Sequence, residues 1–253
     1  MDPLTVAYVV GAGMSAWLVH RYQRGVARQL REQEPRYAED AEVVIAVAGH
    51  AGYSRDHRFL CPLHVLYGLL QDPRIAAAVG IEGAEAVEAA ALNELDRGEP
   101  PRAEAVALSQ LLAHADAGAR GRGGISCVDL WAGLTRSETA ASQLLRGCGV
   151  DMVAVLTSLC HGSAEAPAIE AFAGSVAVVL HDDDYTPQEL VVAVLMRHFS
   201  LSRENAVACM HATEAAGRTV IGRFASVEAQ QRIAAARRFA REQRAPLWIA
   251  AEP

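Results

Sequence analysis

The first half of this chain repeats itself, and a repeat of this length restricts it to folds in which one helical unit is used twice. Residues 38–51 (AEDAEVVIAVAGHA) carry Ala41, Val44, Ile45 and Ala48 at the spacing of one helix face. A polar, turn-like stretch from Arg55 to Phe59 then leads into the apolar run Leu60-Cys61-Pro62-Leu63-His64-Val65-Leu66-Tyr67-Gly68-Leu69-Leu70. Residues 103–115 (AEAVALSQLLAHA) open a second pass, followed by a glycine-rich turn through Gly124 and the run Ile125-Ser126-Cys127-Val128-Asp129-Leu130-Trp131-Ala132-Gly133-Leu134. Placing Ile125 over Leu60 also superposes Val128 on Leu63, Trp131 on Leu66 and Gly133-Leu134 on Gly68-Leu69. The ends rhyme as well: Gly80-Ile81-Glu82 corresponds to Gly149-Val150-Asp151. A helix-pair unit used twice predicts a mostly α, pseudo-twofold bundle over residues 35–162.

With 253 residues, the chain has room for this bundle and a second small domain. Its 51% hydrophobic and 21% charged residues are the balance of a globular protein. A net charge of −7, with no basic run interleaved with aromatics, argues against a nucleic-acid partner, which is itself a polyanion. The cysteines Cys61, Cys127, Cys148, Cys160 and Cys209 form no CxxC pair and no Cys/His cluster of zinc spacing, so they read as buried free thiols.

Residues 4–19 (LTVAYVVGAGMSAWLV) carry no charge, and His20-Arg21 then begins a basic stretch with Arg24, Arg28 and Arg31. A helix of that length spans about 24 Å, slightly short of a hydrocarbon core of about 30 Å. Tyr8 and Trp17 are suited to the interfaces, and the arginines would keep the following chain in the cytoplasm. A cleaved signal peptide fits poorly, because no basic region precedes the apolar run. Residues 1–34 therefore read either as an anchor to the cytoplasmic face of the inner membrane or, given Gly11, Gly13 and Ser15, as an apolar helix packed on protein.

Residues 163–174, rich in Ser, Pro, Gly and Ala without periodicity, read as a linker. Beyond it, residues 175–180 (SVAVVL) predict a buried strand, and His181-Asp182-Asp183-Asp184-Tyr185-Thr186-Pro187 a polar turn. Thr186 suits the N-cap of a helix over residues 187–199, with Pro187 at its first position and Glu189 in its first turn. Ser202 caps a second helix that ends by Gly217. Residues 219–221 read as a strand, 226–243 as a helix and 247–249 as a strand. The order β-α-α-β-α-β predicts a small α+β domain with three strands and three helices over residues 175–253.

This module resembles the ClpS adaptor family. The resemblance rests on Asp183-Asp184-Tyr185-Thr186-Pro187 after a strand, Gly217-Arg218 with Gly222 and Phe224, Ala240-Arg241-Glu242, and Pro246-Leu247. It implies a non-catalytic adaptor that holds a protein's N-terminal residue and delivers it to a Clp ATPase, with no cofactor and no metal. Holding a free α-ammonium beside an apolar side chain needs acceptors without a competing cation, over an apolar cavity. The family's contact positions fall here on Asp182, Asp183, Thr186, Gln188, Val191, Met210, Thr213, Glu214 and Leu247. Asp182 replaces an amide, Gln188 a frequent Met, and Glu214 the pocket His. The family's basic docking residue falls on Arg232, and its docking acid on Val227, with Glu228 one place later. The "T-x-E-H-L-L-L-x-L-L" and "GVD" pattern over residues 35–162 is similar to the duplicated N-terminal domain of Clp ATPases, although Leu63 replaces the usual acid and Asp129 stands where the first repeat has His64.

No GxxxxGK[ST] loop, GxSxG elbow or HExxH pair occurs, so neither ATPase nor hydrolase chemistry has a recognisable carrier. The expected protein is a Clp-protease adaptor whose partners are a Clp ATPase and protein substrates or N-terminal peptides. The alternative is a regulator or decoy that occupies those surfaces without delivering cargo.

Overall fold

The computed structural model describes residues 37–119, 122–164 and 174–252. The apolar segment 4–19, the basic stretch after it and most of the expected linker at 163–174 lie outside those residues. Two compact units part between Met152 and Val153. The first contains α1 (Glu39–Tyr53), α2 (Pro62–Leu70), α3 (Pro73–Val79), α4 (Ile81–Asp96), α5 (Arg102–Ala119), α6 (Cys127–Arg136) and α7 (Ala140–Gly147). The helices α1, α2 and α3 have 15, 9 and 7 residues, and α5, α6 and α7 follow the same order with 18, 10 and 8. The superposed glycines mark equivalent close approaches of backbone to backbone. A Cβ on Gly68 would overlap the carbonyl oxygen of Val44 on α1, and one on Gly133 would lie 3.0 Å from that of Leu111 on α5. Leu66, Leu69, Leu111, Trp131 and Leu134 are fully buried, and the Trp131 indole N–H is satisfied by the Met152 carbonyl at 3.0 Å.

The second unit begins with most of α8 (Met152–His161), which the sequence reading had assigned to the repeat. It continues as β1 (Ser175–His181), α9 (Gln188–Phe199), α10 (Arg203–Ala216), β2 (Arg218–Ala225), α11 (Ser226–Glu242) and β3 (Trp248–Glu252). The β-α-α-β-α-β order is as expected, with β2 and β3 longer than their apolar centres indicated. The sheet is antiparallel in the order β2-β1-β3, so the most apolar strand lies in the middle. Val176, Val178 and Leu180 alternate onto the face that packs with Val194, Leu195, Met210, Ile233 and Ala236 of the three helices. The opposite face is covered too, since Val179 and its partner Ala250 are only 2% and 7% exposed. A mostly helical first unit and a small α+β second unit are the expected fold class.

Among the described residues, no single helix is long and apolar enough to cross a membrane. All five cysteines are free. Cys61 and Cys127 are buried as expected, but Cys148 is exposed because it lies at the C-cap of α7. Cys127 approaches Asp40 and Asp72 closely enough for a shared metal ion. Arg74 already occupies the centre of that cluster, 2.7 Å from Asp40 and 2.8 Å from Asp72. The group is therefore a cap and ion pair at the start of α3, where Asp72 accepts the Arg74 N–H.

The two repeats start α2 and α6 with the same device built from different residues. In the second, Ser126 and Asp129 form a capping box: the Asp129 carboxylate accepts the Ser126 N–H at 2.8 Å, and Ser126 Oγ accepts the Asp129 N–H at 3.2 Å. In the first, His64 takes the place of the acid, its Nδ1 accepting the Cys61 N–H at 3.1 Å. That bond leaves the proton on Nε2, which points to His57 Nδ1 at 3.0 Å. Asp129 thus stands where His64 does because both are the third residue of a cap. Burial, then the charges of His57 and Arg55, push His64 down to about 3, so the fold keeps it neutral. The thiol of Cys61 is pushed up to about 11, chiefly by burial, so the pair is a neutral cap and not an activated nucleophile. Below the ordinary His value the unfolded chain binds a proton that the folded one refuses. Stability therefore falls as pH drops from about 6.5 toward 3, by up to about 1.4 kcal/mol per pH unit. Denaturant unfolding between pH 7 and 4 should show this slope, and His64→Gln, which keeps the acceptor but does not titrate, should flatten it. An equal slope in the variant would rule out His64 as the cause.

Candidate functional site

Where β1 ends, the chain must turn sharply to start α9, and one side chain organises that turn. Asp183 Oδ1 accepts the N–H groups of Tyr185 at 2.8 Å and Thr186 at 2.6 Å, and its Oδ2 accepts the Thr186 hydroxyl at 2.8 Å. This corrects the expected helix start. Thr186 donates its hydroxyl to Asp183 and does not cap α9, whose N-cap position is held by Pro187 without a side-chain bond. The other end of the turn is tied down by the Asp182 N–H, which donates to the Gly217 carbonyl at 2.9 Å. Gly217 ends α10 at φ 75°, the left-handed conformation expected of it.

A small cavity, open to solvent, lies between this turn, α9, α10 and the start of β3. All nine positions singled out from the sequence border it: Asp182, Asp183, Thr186, Gln188, Val191, Met210, Thr213, Glu214 and Leu247. Leu180 and His181 complete the lining and were not singled out. Strand alternation was the signal that could have found Leu180, which shares the helix-facing side of β1 with Val178. The floor is apolar and well packed, with Leu180, Val191, Met210 and Leu247 each at most 9% exposed. The Thr213 hydroxyl is turned back to the Cys209 carbonyl at 2.9 Å.

The mouth is acidic. Glu214 accepts from Gln188 Nε2 at 2.5 Å and meets His211 Nδ1 at 3.0 Å, so two of the three positions that depart from the resembled family are bonded to each other. The His211 bond first, then Gln188, holds the Glu214 carboxyl below the usual range, with partial burial acting against them. Asp182 is raised instead, by desolvation first and then by the charges of Asp183, Asp184 and Glu214. Desolvation likewise keeps His181 below its ordinary value. No arginine borders the cavity. Carboxylates around an apolar floor suit a small cation joined to an apolar group, and no nucleophile–base pair sits among them.

The remaining predicted residues, Glu228 and Arg232, lie on α11 and do not border the cavity. Arg232 bonds Glu228 at 2.8 Å, donates to the His198 carbonyl at 2.8 Å, and lies 5.0 Å from the centre of the Phe224 ring. Val227 beside them is 67% exposed.

Comparison with known proteins bears on this unit. Residues 174–250 match the family described as ATP-dependent Clp protease adaptor protein ClpS. Over 75 residues, 30% of this chain, the sequence is 37% identical to the ATP-dependent Clp protease adapter protein ClpS of Salmonella gallinarum, covering 71% of that protein. The adapters of Pectobacterium carotovorum and Escherichia coli match with the same identity, 37%, and the same shares. Among solved structures, that of Agrobacterium tumefaciens ClpS2 bound to L-phenylalaninamide is 28% identical, over 32% of this chain and 99% of that one, with a TM-score of 0.32.

Proposed function

This chain belongs to the ClpS family of Clp protease adaptors, and on that premise we propose that its cavity holds the free N-terminus of a protein substrate while other surfaces engage a Clp ATPase. The observation that carries the reading is the convergence of Asp182, Thr186 and Glu214 on an apolar floor made by Val191, Met210 and Leu247. An α-ammonium would be matched by the carboxylates, and a large apolar first side chain by the floor. Asp183, with its side chain 2% exposed and three bonds accepted from its own turn, supports the site without touching the ligand. Direct acceptance falls to Asp182 and Glu214. The chain is read as an adaptor and not as an enzyme.

Titrating the full chain with peptides that begin in Leu, Phe, Trp or Tyr tests this directly. Micromolar binding that N-acetylation abolishes is expected, and no binding to any free N-terminus would sink the reading. Because Asp182 is raised and must be ionised to attract an ammonium, affinity should fall on acidification sooner than an ordinary aspartate would cause. Glu214→Gln removes one of the charges that raise Asp182, so it should move that fall to lower pH. It should also weaken binding at neutral pH by about tenfold, the effect of losing one charged acceptor.

A second reading, a regulator that docks without delivering cargo, is favoured by the bonds that tie Glu214 to Gln188 and His211. Docking is assigned to Glu228 and Arg232 on α11. The repeated helix order and the paired glycine contacts of the first unit support its reading as a doubled Clp N-terminal-type domain, a second module of the same protease system. Calorimetry with the isolated N-terminal domain of a Clp ATPase should detect a complex that Arg232→Glu weakens. Unchanged affinity would move the docking site elsewhere. A retained complex without peptide binding would select the regulator.

For residues 4–19 we retain the membrane anchor. After carbonate extraction the chain should stay with the membrane pellet, and complete release would rule out a span.

A further inference from the structure

The second unit starts well before the residues that match the family. Between Val153 and Ala164 it has its own extension, and the last residue of α8 reaches the back of the cavity. His161 Nε2 lies 3.2 Å from the Pro246 carbonyl and 3.9 Å from Asp183 Oδ2. The two side chains are buried, at 7% and 2% exposure. A carbonyl can only accept, so Nε2 carries a proton. The imidazole is stacked on Trp248 at 5.4 Å and an interplanar angle of 18°, on the sheet face away from the three helices. Arg237 holds the same indole from 4.0 Å and donates to the Ala164 carbonyl at 3.3 Å, fixing the end of the extension.

The groups His161 touches are not arbitrary. Asp183 sets the turn that carries Asp182, Thr186 and Gln188, and Pro246 immediately precedes Leu247 in the floor. One N–H is therefore bonded to the segment that carries Leu247 and lies close to the turn that carries Asp182, both of which border the cavity. We propose that His161 is a positioning residue for the pocket, its Nε2–H bonded to the Pro246 carbonyl and its ring packed beside the buried Asp183 carboxylate, so that the Asp183 turn and the Pro246–Leu247 segment are kept in register and the ligand-binding unit extends back to Val153. Desolvation keeps the ring below the usual histidine value, with the Asp183 charge opposing and His181 and Arg237 assisting, which suits a neutral donor between these groups.

This inference rests on the N-terminus-binding reading for its ligand, but its first readout does not. Two variants of the full chain separate the donor from the stack: His161→Phe keeps an aromatic ring on Trp248 and loses the N–H, while His161→Gln keeps an N–H and loses the ring. In amide correlation spectra without ligand, Phe should shift the Tyr185 and Thr186 signals and Gln should leave them near wild type. With a peptide beginning in Phe, the His161→Phe variant should bind about fivefold more weakly and the Gln variant within about twofold of wild type. Unchanged signals in the Phe variant, shifts equal in both variants, or shifts without loss of affinity would overturn the proposal. If the wild type binds no free N-terminus, the functional reading fails and the ligand-free spectra alone decide the role of His161. If the Phe variant does not fold, long-range nitrogen–proton spectra of the wild-type imidazole decide it: the Nε2–H form is expected, and the Nδ1–H form overturns it.

Discussion

When a carboxylate accepts hydrogen bonds from the residues that immediately follow it, the chain beyond has little choice of direction. Asp183 binds Tyr185 and Thr186 in this way, and the placement of the second unit's cavity follows from it. The bonds turn the chain after β1 has ended, start α9 one residue later than the helix-capping pattern indicates, and bring Thr186 and Gln188 to the cavity. The Asp182 N–H, held by Gly217, joins that turn to the end of α10. Two chain reversals are thus tied together at one edge of an apolar layer. The cavity is the space that remains between them and Leu247.

The charges around this cavity are arranged unlike those of two clusters in the first unit. There, Asp129 pairs with Arg122, and Asp72 and Asp40 share Arg74. At the cavity mouth, Asp182 is instead surrounded by Asp183, Asp184 and Glu214, and its carboxyl is raised. Like charges held together near an apolar floor are unfavourable in the absence of a cation, and such arrangements concentrate at sites that bind one. Two other strongly perturbed side chains belong to a helix cap. His64 and Cys61 are shifted strongly yet are complete within their own capping box, so a shifted pKa distinguishes a site only where geometry leaves room for a ligand.

Much of this was legible in the sequence, for identifiable reasons. Gly217 announced the end of α10 because few residues other than glycine adopt its φ readily, and Ser202 announced the start because its side chain accepts the Asn205 N–H. The repeat was legible because Gly68 and Gly133 must be small where helix backbones meet. Thr186 misled, since a Thr before Pro has the form of an N-cap, and only the three-dimensional turn gives its hydroxyl to Asp183. The replacement of His64 by Asp129 looked like a loss of pattern, but a capping box accepts either side chain as its acceptor. His161 had no local signal, because its partners Asp183, Pro246 and Trp248 are distant in the chain.

The sequence by itself determined the β-α-α-β-α-β order of the second half and the repeat in the first, because periodicity and caps are properties of neighbouring residues, and its resemblance to the ClpS family pointed to the nine cavity positions. The tertiary structure decided how deeply each of those nine is buried, that Glu214 is bonded to Gln188 and His211, and that α8 belongs with the second unit. Each of these depends on burial and on bonds between distant segments. Such contacts fix where a carboxylate points and whether a histidine is neutral, and no local spacing encodes them.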